Sequence, residues 1–350
     1  MKIIHTADIH LGSKINSFPK DVSDSRKEEL RNSFKRMVEY AKSNAVKVIL
    51  ISGDLFDSEK PLIKDKQFFF SVVKNNPEID FIYLRGNHDL VGDSEDLFNL
   101  KTFSTTWSSY EYDGVVITGV ETVKENSTSI YSTLNLDSQK LNIVMLHGQV
   151  GDSSGVQKVN LTKLRNKNIK YLALGHYHSY LTEKLDDYGV YAYSGCLEGR
   201  GYDETGEKGF ILLDISNKIT HTFIPFSQRK ISKISVDVTD LKDAYSIYVN
   251  AKRVANFNKS DVYRIELYGE LDSELTGVAE DVKKYLSSDA MYVDVKDITK
   301  TKLKVDNFLG DASLKGEFVR LVYNDNSLSD EEKAKIISYG LKALSGREVE

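Results

Sequence analysis

Short apolar runs alternate with charged, amphipathic segments along the first two thirds of the chain. Six of these runs have the length and β-branched content of buried strands: residues 2–6, 46–52, 80–84, 115–120, 142–147 and 170–175. Between them, residues 24–44 predict a helix, because apolar residues recur there every three or four positions with charges opposite. Shorter helices are predicted at 62–75 and 94–104. This alternation predicts an α/β sandwich whose strands are buried on both faces.

The pattern changes after residue 228. Strand-like and helical segments alternate over residues 229–305, which predicts a separate small α+β domain. Residues 306–350 are polar and predict helices. Two interpretations of this last segment stay open: a helical pair that packs on its own small domain, or a docking surface for a partner protein.

Composition and length narrow the class of protein. At 350 residues, with 40% hydrophobic and 28% charged residues, the chain has a globular balance and room for more than one core. No run approaches the roughly 18 apolar residues of a membrane span. The single cysteine, Cys196, cannot form an internal disulfide, and the first residues place histidine and aspartate where a signal peptide is apolar. We therefore expect a cytoplasmic protein without membrane association.

The net charge of −5, with an isoelectric point near 5.9, provides no overall basic surface of the kind that favours nucleic-acid binding. This counts mildly against DNA as a substrate. A local groove or bound divalent cations can still hold phosphates on an acidic protein.

Six of the seven histidines lie in or beside short motifs that end predicted strands. The polar residues of these motifs are Asp8 and His10 in TADIH, Asp54 in SGDLFD, Asn87 and His88 in GNHD, His147 after NIVML, and His176 and His178 in GHYH. Ligands of open α/β sheets gather at the carboxyl ends of strands. Five strand ends in succession therefore predict one common site. His5, inside the first strand, is expected to be a core residue or to support a ligand.

The residue types favour a pair of divalent cations. Mixed carboxylate and imidazole ligands suit Mn²⁺, Fe²⁺ or Zn²⁺, whereas an all-oxygen cage suits Ca²⁺ or Mg²⁺. Two neighbouring cations need a bridging carboxylate, and Asp54 is the natural candidate. Glycines beside the motif residues permit tight turns and close backbone approach. The alternative, that these are ordinary capping and turn residues, would require five coincidences in order.

The ordered series DxH, GD, GNHD, GH and GHxH over residues 8–178 resembles the signature of the calcineurin-like metallophosphoesterases. Within that superfamily, HTADIHLGS and the segment YSGCLEGRGYDETGEKGFILLDI (193–215) resemble the Mre11/SbcD DNA repair nucleases. The resemblance implies a four-layer αββα sandwich over residues 1–228 as the nuclease domain. It also implies a capping domain over 229–305 and a helical C-terminal segment over 306–350.

The resemblance further implies roles for single residues. One cation would be held by Asp8, His10, Asp54 and His178, and the other by Asp54, Asn87, His147 and His176. His88 would face the scissile phosphate during in-line attack by a cation-activated water, and Asp89 would fix the tautomer of His88. The implied cofactors are two Mn²⁺ ions, with Fe²⁺, Zn²⁺ or Mg²⁺ as alternatives. The implied partners are DNA and an SbcC/Rad50-like ATPase.

Weaker indications concern the surroundings of the site. Arg85, Tyr177 and Arg200 stand beside the motifs and are candidates for contacting a phosphate or a base. Archaeal and eukaryotic members of the Mre11/SbcD family carry a histidine at the position of Asp57, so the aspartate points to the bacterial branch. The aromatic residues of 62–75 and 94–104 exceed what one buried face needs, and a homodimer contact is one explanation.

Two other functions stay open at this point. The first keeps the chemistry and changes the substrate to a small molecule, as a phosphodiesterase or phosphatase. The second is a non-catalytic scaffold whose metals only brace the fold.

Overall fold

The computed structural model describes residues 1–89, 96–216, 218–272, 275, 277–302, 308 and 310–344. The chain forms two compact units, Met1–Ile231 and Ser232–Glu350. The helices of the described part are α1 (Lys20–Ser43), α2 (Ile63–Lys74), α3 (Ile130–Thr133), α4 (Ala244–Val254), α5 (Val278–Leu286), α6 (Leu314–Tyr323) and α7 (Asp330–Leu344). None of the helices in these ranges combines the length and the apolar character that crossing a membrane requires.

The strands of the first unit are β1 (Lys2–Thr6), β2 (Val46–Ser52), β3 (Asp80–Leu84), β4 (Leu100–Thr102), β5 (Ser108–Tyr112), β6 (Val115–Gly119), β7 (Leu141–His147), β8 (Gln149–Gly151), β9 (Lys158–Asn160), β10 (Tyr171–Gly175), β11 (Leu181–Lys184), β12 (Val190–Tyr193), β13 (Gly209–Ile215) and β14 (Ile219–Pro225). They build two six-stranded sheets, in the orders β14-β13-β1-β2-β3-β4 and β11-β12-β10-β7-β6-β5. Strands β1 to β4 are parallel in the first sheet, and β6, β7, β10 and β12 in the second.

An apolar layer fills the space between the two sheets. Ile3 and Leu50 of the first sheet belong to the same buried cluster as Ile143 and Met145 of the second. The opposite face of the first sheet packs on α1 and α2 through residues such as Phe34 and is buried as well. Central strands are thus covered on both sides, which confirms the expected sandwich.

The two outer layers are built differently. The long helices α1 and α2 cover the first sheet. The second sheet is covered by the four-residue helix α3, a 3-10 turn at Leu161–Lys163 and their flanking loops, with Tyr131 and Leu164 in the core. The four-layer arrangement is therefore present, with one thick and one thin helical layer.

The predicted helix at 94–104 is wrong over its described part, residues 96–104. Leu100–Thr102 instead form β4, which pairs in parallel with β3. Leu97 and Leu100 pack with the helix-side core, whereas Phe103 packs between the sheets. Their three-residue spacing imitates a helical face, but strand pairing sends these side chains to opposite faces. Residues 94 and 95 lie outside the described residues.

The second unit contains β15 (Ile231–Asp237, which starts at the boundary), β16 (Val262–Tyr268), β17 (Glu270–Asp272), β18 (Tyr292–Asp297) and β19 (Lys300–Lys302). β15, β16 and β18 form a three-stranded sheet, and α4 and α5 share its core through Ile247 and Val282. α6 and α7 pack together through Val319 and Ile337. The element order agrees with the expected α+β segment followed by helices. The division into separate domains at 229–305 and 306–350 stays a prediction.

Candidate metal centre

The motif loops meet at the carboxyl ends of five strands, β1, β2, β3, β7 and β10. The loops that follow β1 and β2 continue the pairing of these strands beyond the sheet. The amide of Asp8 donates to the carbonyl of Gly53, and the amide of His10 donates to the carbonyl of Asp54, both at 3.0 Å. This backbone pairing places the first motif directly beside the second.

The side chains gather in two groups. The ligand atoms of Asp8, His10 and His178 lie within 4.8 Å of one another, and we call these residues the first cluster. Those of Asp54, His147 and His176 satisfy the same limit. Asn87 joins this second cluster, because its Oδ1 lies 3.1 Å from Nε2 of His147. All seven residues that the sequence indicated as metal ligands are thus brought together.

Asp54, a member of the second cluster, also faces the first. Its Oδ2 is 3.4 Å from Nε2 of His147 in the second cluster and 3.9 Å from Nε2 of His10 in the first. Its Oδ1 accepts a hydrogen bond of 3.0 Å from the amide of His88. One carboxylate therefore faces both groups, as a bridging ligand must.

Three of the histidines have an oxygen atom near Nδ1. Nδ1 of His147 lies 2.9 Å from the carbonyl oxygen of Ser52, and Nδ1 of His178 lies 2.7 Å from a carboxylate oxygen of Glu204. Nδ1 of His10 lies 3.2 Å from a carboxylate oxygen of Asp57. Carbonyls and carboxylates accept hydrogen bonds, so the contacts of His147 and His178 place a proton on Nδ1 and direct Nε2 into the cluster. The approach of His10 to Asp57 lacks hydrogen-bond geometry.

The Nε2 atoms face one another or carboxylate and amide oxygens. Nε2 of His10 and Nε2 of His178 are 3.3 Å apart, and Nε2 of His147 faces oxygens of Asn87 and Asp54. Acceptors in such contact repel one another unless a positive charge lies among them. The donor set therefore fits divalent cations, with the nitrogen and oxygen mixture of a transition-metal site.

The pKa values of the buried aspartates and histidines also indicate that positive charge is favoured in the clusters. Burial opposes protonation of His147, yet its hydrogen bond to Asp54 and the charges of Asp54 and Asp8 raise its pKa to about 9. Burial would raise the pKa of Asp54, but the hydrogen bond and charge of His147 hold it well below its usual range. Burial raises the pKa of Asp8 to about 6 against the opposing charges of His147 and His178.

Strained backbone carries several of these ligands. Asp8, His10 and Asp54 each have a φ of +51°, and His176 has a φ of +99°. They are four of the ten non-glycine residues with positive φ in the described ranges. Such conformations cost energy and persist where surrounding contacts impose them. The amide of His176 donates to both carboxylate oxygens of Asp8, at 2.9 and 3.0 Å.

Two glycines leave room for the side chains of the second cluster. Gly53 has a φ of +93°, and a Cβ there would lie 2.1 Å from Nδ1 of His147. A Cβ at Gly86 would lie 2.2 Å from Oδ1 of Asp54. Any larger residue at these positions would displace a cluster side chain.

His88 and Asp89 occupy different surroundings. The half-buried ring of His88 lies 5.4 Å, between ring centroids, from that of His10 at the edge of the first cluster. Asp89 is buried and accepts hydrogen bonds from the amides of Gly86 and Phe56, both at 2.9 Å, and of Leu55 at 3.3 Å. Its carboxylate therefore joins the SGDLFD and GNHD loops, and these bonds go to backbone amides instead of fixing the ring of His88.

The three candidates for substrate contact differ in their surroundings. Nε and Nη2 of Arg85 each lie 2.6 Å from a carboxylate oxygen of Glu121, beside a cavity of about 170 Å³ that Asn87 and His147 also line. The guanidinium of Arg200 bonds to carboxylates as well. Tyr177 is 43% exposed and lies edge-on to Tyr193. Substrate contact by these residues stays a prediction.

Sequence reasoning missed the acceptor that orients His178. Glu204 lies 26 positions away from that histidine, so no local spacing connects them. The only signal was its place inside segment 193–215. His5 is buried, with Nδ1 2.9 Å from the hydroxyl of Tyr171 and Nε2 3.2 Å from the carbonyl of Leu174, and burial lowers its pKa to about 3. It is a core residue.

Comparison with known proteins defines the class. Residues 1–180, just over half of the chain, match the calcineurin-like phosphoesterase family. The chain belongs to this family and is a metal-dependent hydrolase with the metallophosphoesterase fold.

Three relatives indicate which members of the family this chain is similar to. The uncharacterized metallophosphoesterase YhaO of Bacillus subtilis is 27% identical over 71% of this chain and 66% of its own length, just under two thirds. The DNA double-strand break repair protein Mre11 of Sulfurisphaera tokodaii is 26% identical over 77% of this chain and 74% of its own length. The SbcD component of the SbcCD nuclease of Staphylococcus epidermidis is 25% identical over 73% of this chain and 77% of its own length. This chain is thus similar to Mre11 and SbcD proteins over most of its length.

Proposed function

We propose that this protein is a Mn²⁺-dependent DNA nuclease that hydrolyses phosphodiester bonds as an exonuclease, a single-strand endonuclease or both. The observation that carries the proposal is the convergence of seven donor side chains on two clusters that share Asp54. The names of the Mre11 and SbcD relatives support DNA as the substrate and double-strand-break repair as the setting.

Each cluster would hold one cation. Asp8, His10 and His178 would hold the first, Asn87, His147 and His176 the second, and Asp54 would contact both. Cations bound there would neutralise charge on the phosphate and lower the pKa of the attacking water. His88, beside the first cluster, would supply or hold a proton at the departing 3′ oxygen, which requires its ring to reach that atom.

Cleavage assays test the substrate. Protein loaded with Mn²⁺ is incubated with duplex DNA, single-stranded DNA and bis-p-nitrophenyl phosphate, and metal content is measured on the same sample. We expect cleavage of DNA that depends on Mn²⁺, with Fe²⁺, Zn²⁺ and Mg²⁺ as the comparison ions. Turnover of the small ester without DNA cleavage would replace the nuclease by the alternative below.

The alternative function is hydrolysis of a small phosphodiester or phosphomonoester. Two observations favour it: the net charge of −5 and the cavity of about 170 Å³ beside Asn87 and His147. A non-catalytic scaffold is the remaining alternative, and the His88 variant discussed below distinguishes it.

A partner ATPase of the SbcC/Rad50 type is proposed to dock on the C-terminal helices. Leu314 and Leu321 of α6 are 71% and 70% exposed, an unusual exposure for leucine side chains on a helix pair. Replacing Leu321 with Glu should abolish co-purification with such an ATPase while DNA cleavage by the free protein persists. Retained co-purification would move the docking surface elsewhere.

We also propose a cytoplasmic location and a homodimer. Phe98, predicted for the dimer contact, is 78% exposed, whereas Phe69 and Phe103 are buried. Light scattering at micromolar concentration should report twice the chain mass, and replacement of Phe98 with Ser should lower it. A monomer at that concentration removes the dimer.

A further inference from the structure

The guanidinium of Arg200 lies between two carboxylates next to the first cluster. Its Nη1 donates to Oδ1 of Asp57 at 2.7 Å. Its Nη2 and Nε donate to Oε1 of Glu204 at 2.6 and 3.2 Å. All three guanidinium nitrogens are therefore bonded to carboxylates, and the side chain is only 16% exposed.

Each of these carboxylates also contacts a histidine of the first cluster. Oε1 of Glu204 lies at hydrogen-bond distance, 2.7 Å, from Nδ1 of His178, which Nη2 of Arg200 also approaches to 3.2 Å. Oδ1 of Asp57 lies 3.2 Å from Nδ1 of His10, an ion-pair contact without hydrogen-bond geometry. On the other side of the two rings, the Nε2 atoms approach to 3.3 Å. The contacts form a closed loop that runs from one imidazole through Arg200 to the other.

We propose that Arg200 is a positioning residue for the cation of the first cluster and makes this cluster the tighter of the two. The inference rests on the metal-binding part of the proposed function and not on the identity of the substrate. By holding Asp57 and Glu204 together, Arg200 fixes both rings with their Nε2 lone pairs directed at one point.

The chemistry of outer partners explains the effect on affinity. A carboxylate behind a ligating imidazole fixes its orientation and increases its basicity, and losing such a partner typically costs 10- to 100-fold in metal affinity. Two carboxylates so close together would repel each other, and Arg200 removes that repulsion. Its planar fork reaches both at once, which a lysine ammonium cannot do in the same geometry.

The second cluster has no equivalent network among the described contacts. Nδ1 of His147 faces the neutral carbonyl of Ser52, and Asn87 provides a neutral oxygen. Arg85 lies nearby but pairs with Glu121, which contacts no histidine of the cluster in the described structure. The first cluster should therefore fill at lower Mn²⁺ concentration than the second.

The geometry also separates this role from direct phosphate binding. Glu204 is itself held, since its Oε2 accepts from the amide of Arg200 at 2.7 Å. Its Oε1 accepts from Nη2 of Arg200 at 2.6 Å, so both carboxylate oxygens are bonded to the same arginine. A phosphate would have to break these charged bonds to reach the guanidinium.

The test compares Mn²⁺ binding to full-length apoprotein of the wild type, Arg200→Gln, Arg200→Lys and Arg85→Gln. Calorimetric titration gives the two affinities, and electron paramagnetic resonance distinguishes isolated ions from an exchange-coupled pair. We expect Arg200→Gln to weaken the tighter step by about 10- to 100-fold and to lose the coupled signal at concentrations that saturate the wild type. Arg200→Lys should not restore either property.

Arg85→Gln is the matched control, because it removes a similar guanidinium–carboxylate pair beside the second cluster. It should bind both ions as the wild type does. Unchanged affinities in Arg200→Gln, or full rescue by lysine, would overturn the positioning role and leave the nuclease proposal intact. A wild type that binds no Mn²⁺ would overturn both.

Thermal unfolding would reveal whether Arg200→Gln has a folding defect. A second variant tests the proposal in that case. Asp57→Asn removes one end of the same loop at a more exposed position, 29% for its side chain. It should weaken the tighter step selectively. Wild-type binding by Asp57→Asn would overturn the proposal independently.

Discussion

The two clusters contain similar ligands but differ in what lies behind them. In the first, His10 and His178 contact ionisable carboxylates that Arg200 connects. In the second, His147 contacts a backbone carbonyl, and His176 is half-buried with a pKa that burial lowers. Two sites built from nearly the same residue types can therefore differ in affinity, because outer partners set the basicity and orientation of the ligands.

The largest expected effect comes from the residue that the clusters share. Asp54→Asn removes the carboxylate whose Oδ2 faces His10 and His147. Metal affinity should fall by more than the roughly 10- to 100-fold typical of an outer partner. Metal analysis after desalting measures this. Asp80→Asn, at the opposite end of β3, is the control. Loss of only one ion would assign Asp54 to a single cluster.

His88→Ala should separate chemistry from metal binding in both clusters. Because no metal is assigned to His88, the variant should retain both ions while its turnover falls by about 10²-fold or more. Steady-state rates on DNA, with metal content determined in parallel, test this. An unchanged rate removes His88 from the mechanism, and a wild type without any turnover would favour the scaffold.

Asp89→Ala should act on stability and, through the GNHD loop, on the second cluster more than the first. The variant leaves the buried amide of Phe56 and the partly buried amide of Gly86 without their acceptor, and an unsatisfied buried group costs about 1–3 kcal/mol. Urea denaturation should show a lower free energy of unfolding. An unchanged midpoint would mean that these loops are held by other contacts.

The smallest effect is expected at the histidine outside the motifs. His221 lies on β14 with its ring 6.1 Å from that of Tyr171. His221→Gln should leave both metal affinities unchanged and alter stability by no more than about 0.5 kcal/mol. Measurable loss of metal would show that the donor set extends beyond the two clusters.

Strongly patterned elements were predictable from the sequence, and weakly patterned ones were not. Strands β1, β2, β3, β7 and β10 were predicted within a residue or two, because most of their residues are buried and their sequences are largely apolar. Helix α1 starts at Lys20, four residues before the predicted start, where no side chain caps it. β4 was predicted as part of a helix, since the three-residue spacing of Leu97, Leu100 and Phe103 also fits a helical period.

The candidate site also has a part that was predictable from the sequence and a part that was not. Its seven donors were predictable because each lies at or just after the carboxyl end of a strand, where the ligands of α/β sheets gather. Three of these strands belong to the first sheet and two to the second. The partners of these donors were not predictable. The resemblance implied that Asp89 fixes the ring of His88, whereas its carboxylate accepts hydrogen bonds from the amides of two loops.

The sequence by itself therefore determined the class of the protein and the donor residues of its candidate metal centre, because both follow from local patterns repeated along the chain. Only the tertiary structure decided which carboxylate supports which histidine. Contacts such as Asp57–Arg200, 143 positions apart, depend on how distant loops meet and leave no periodic trace in the sequence.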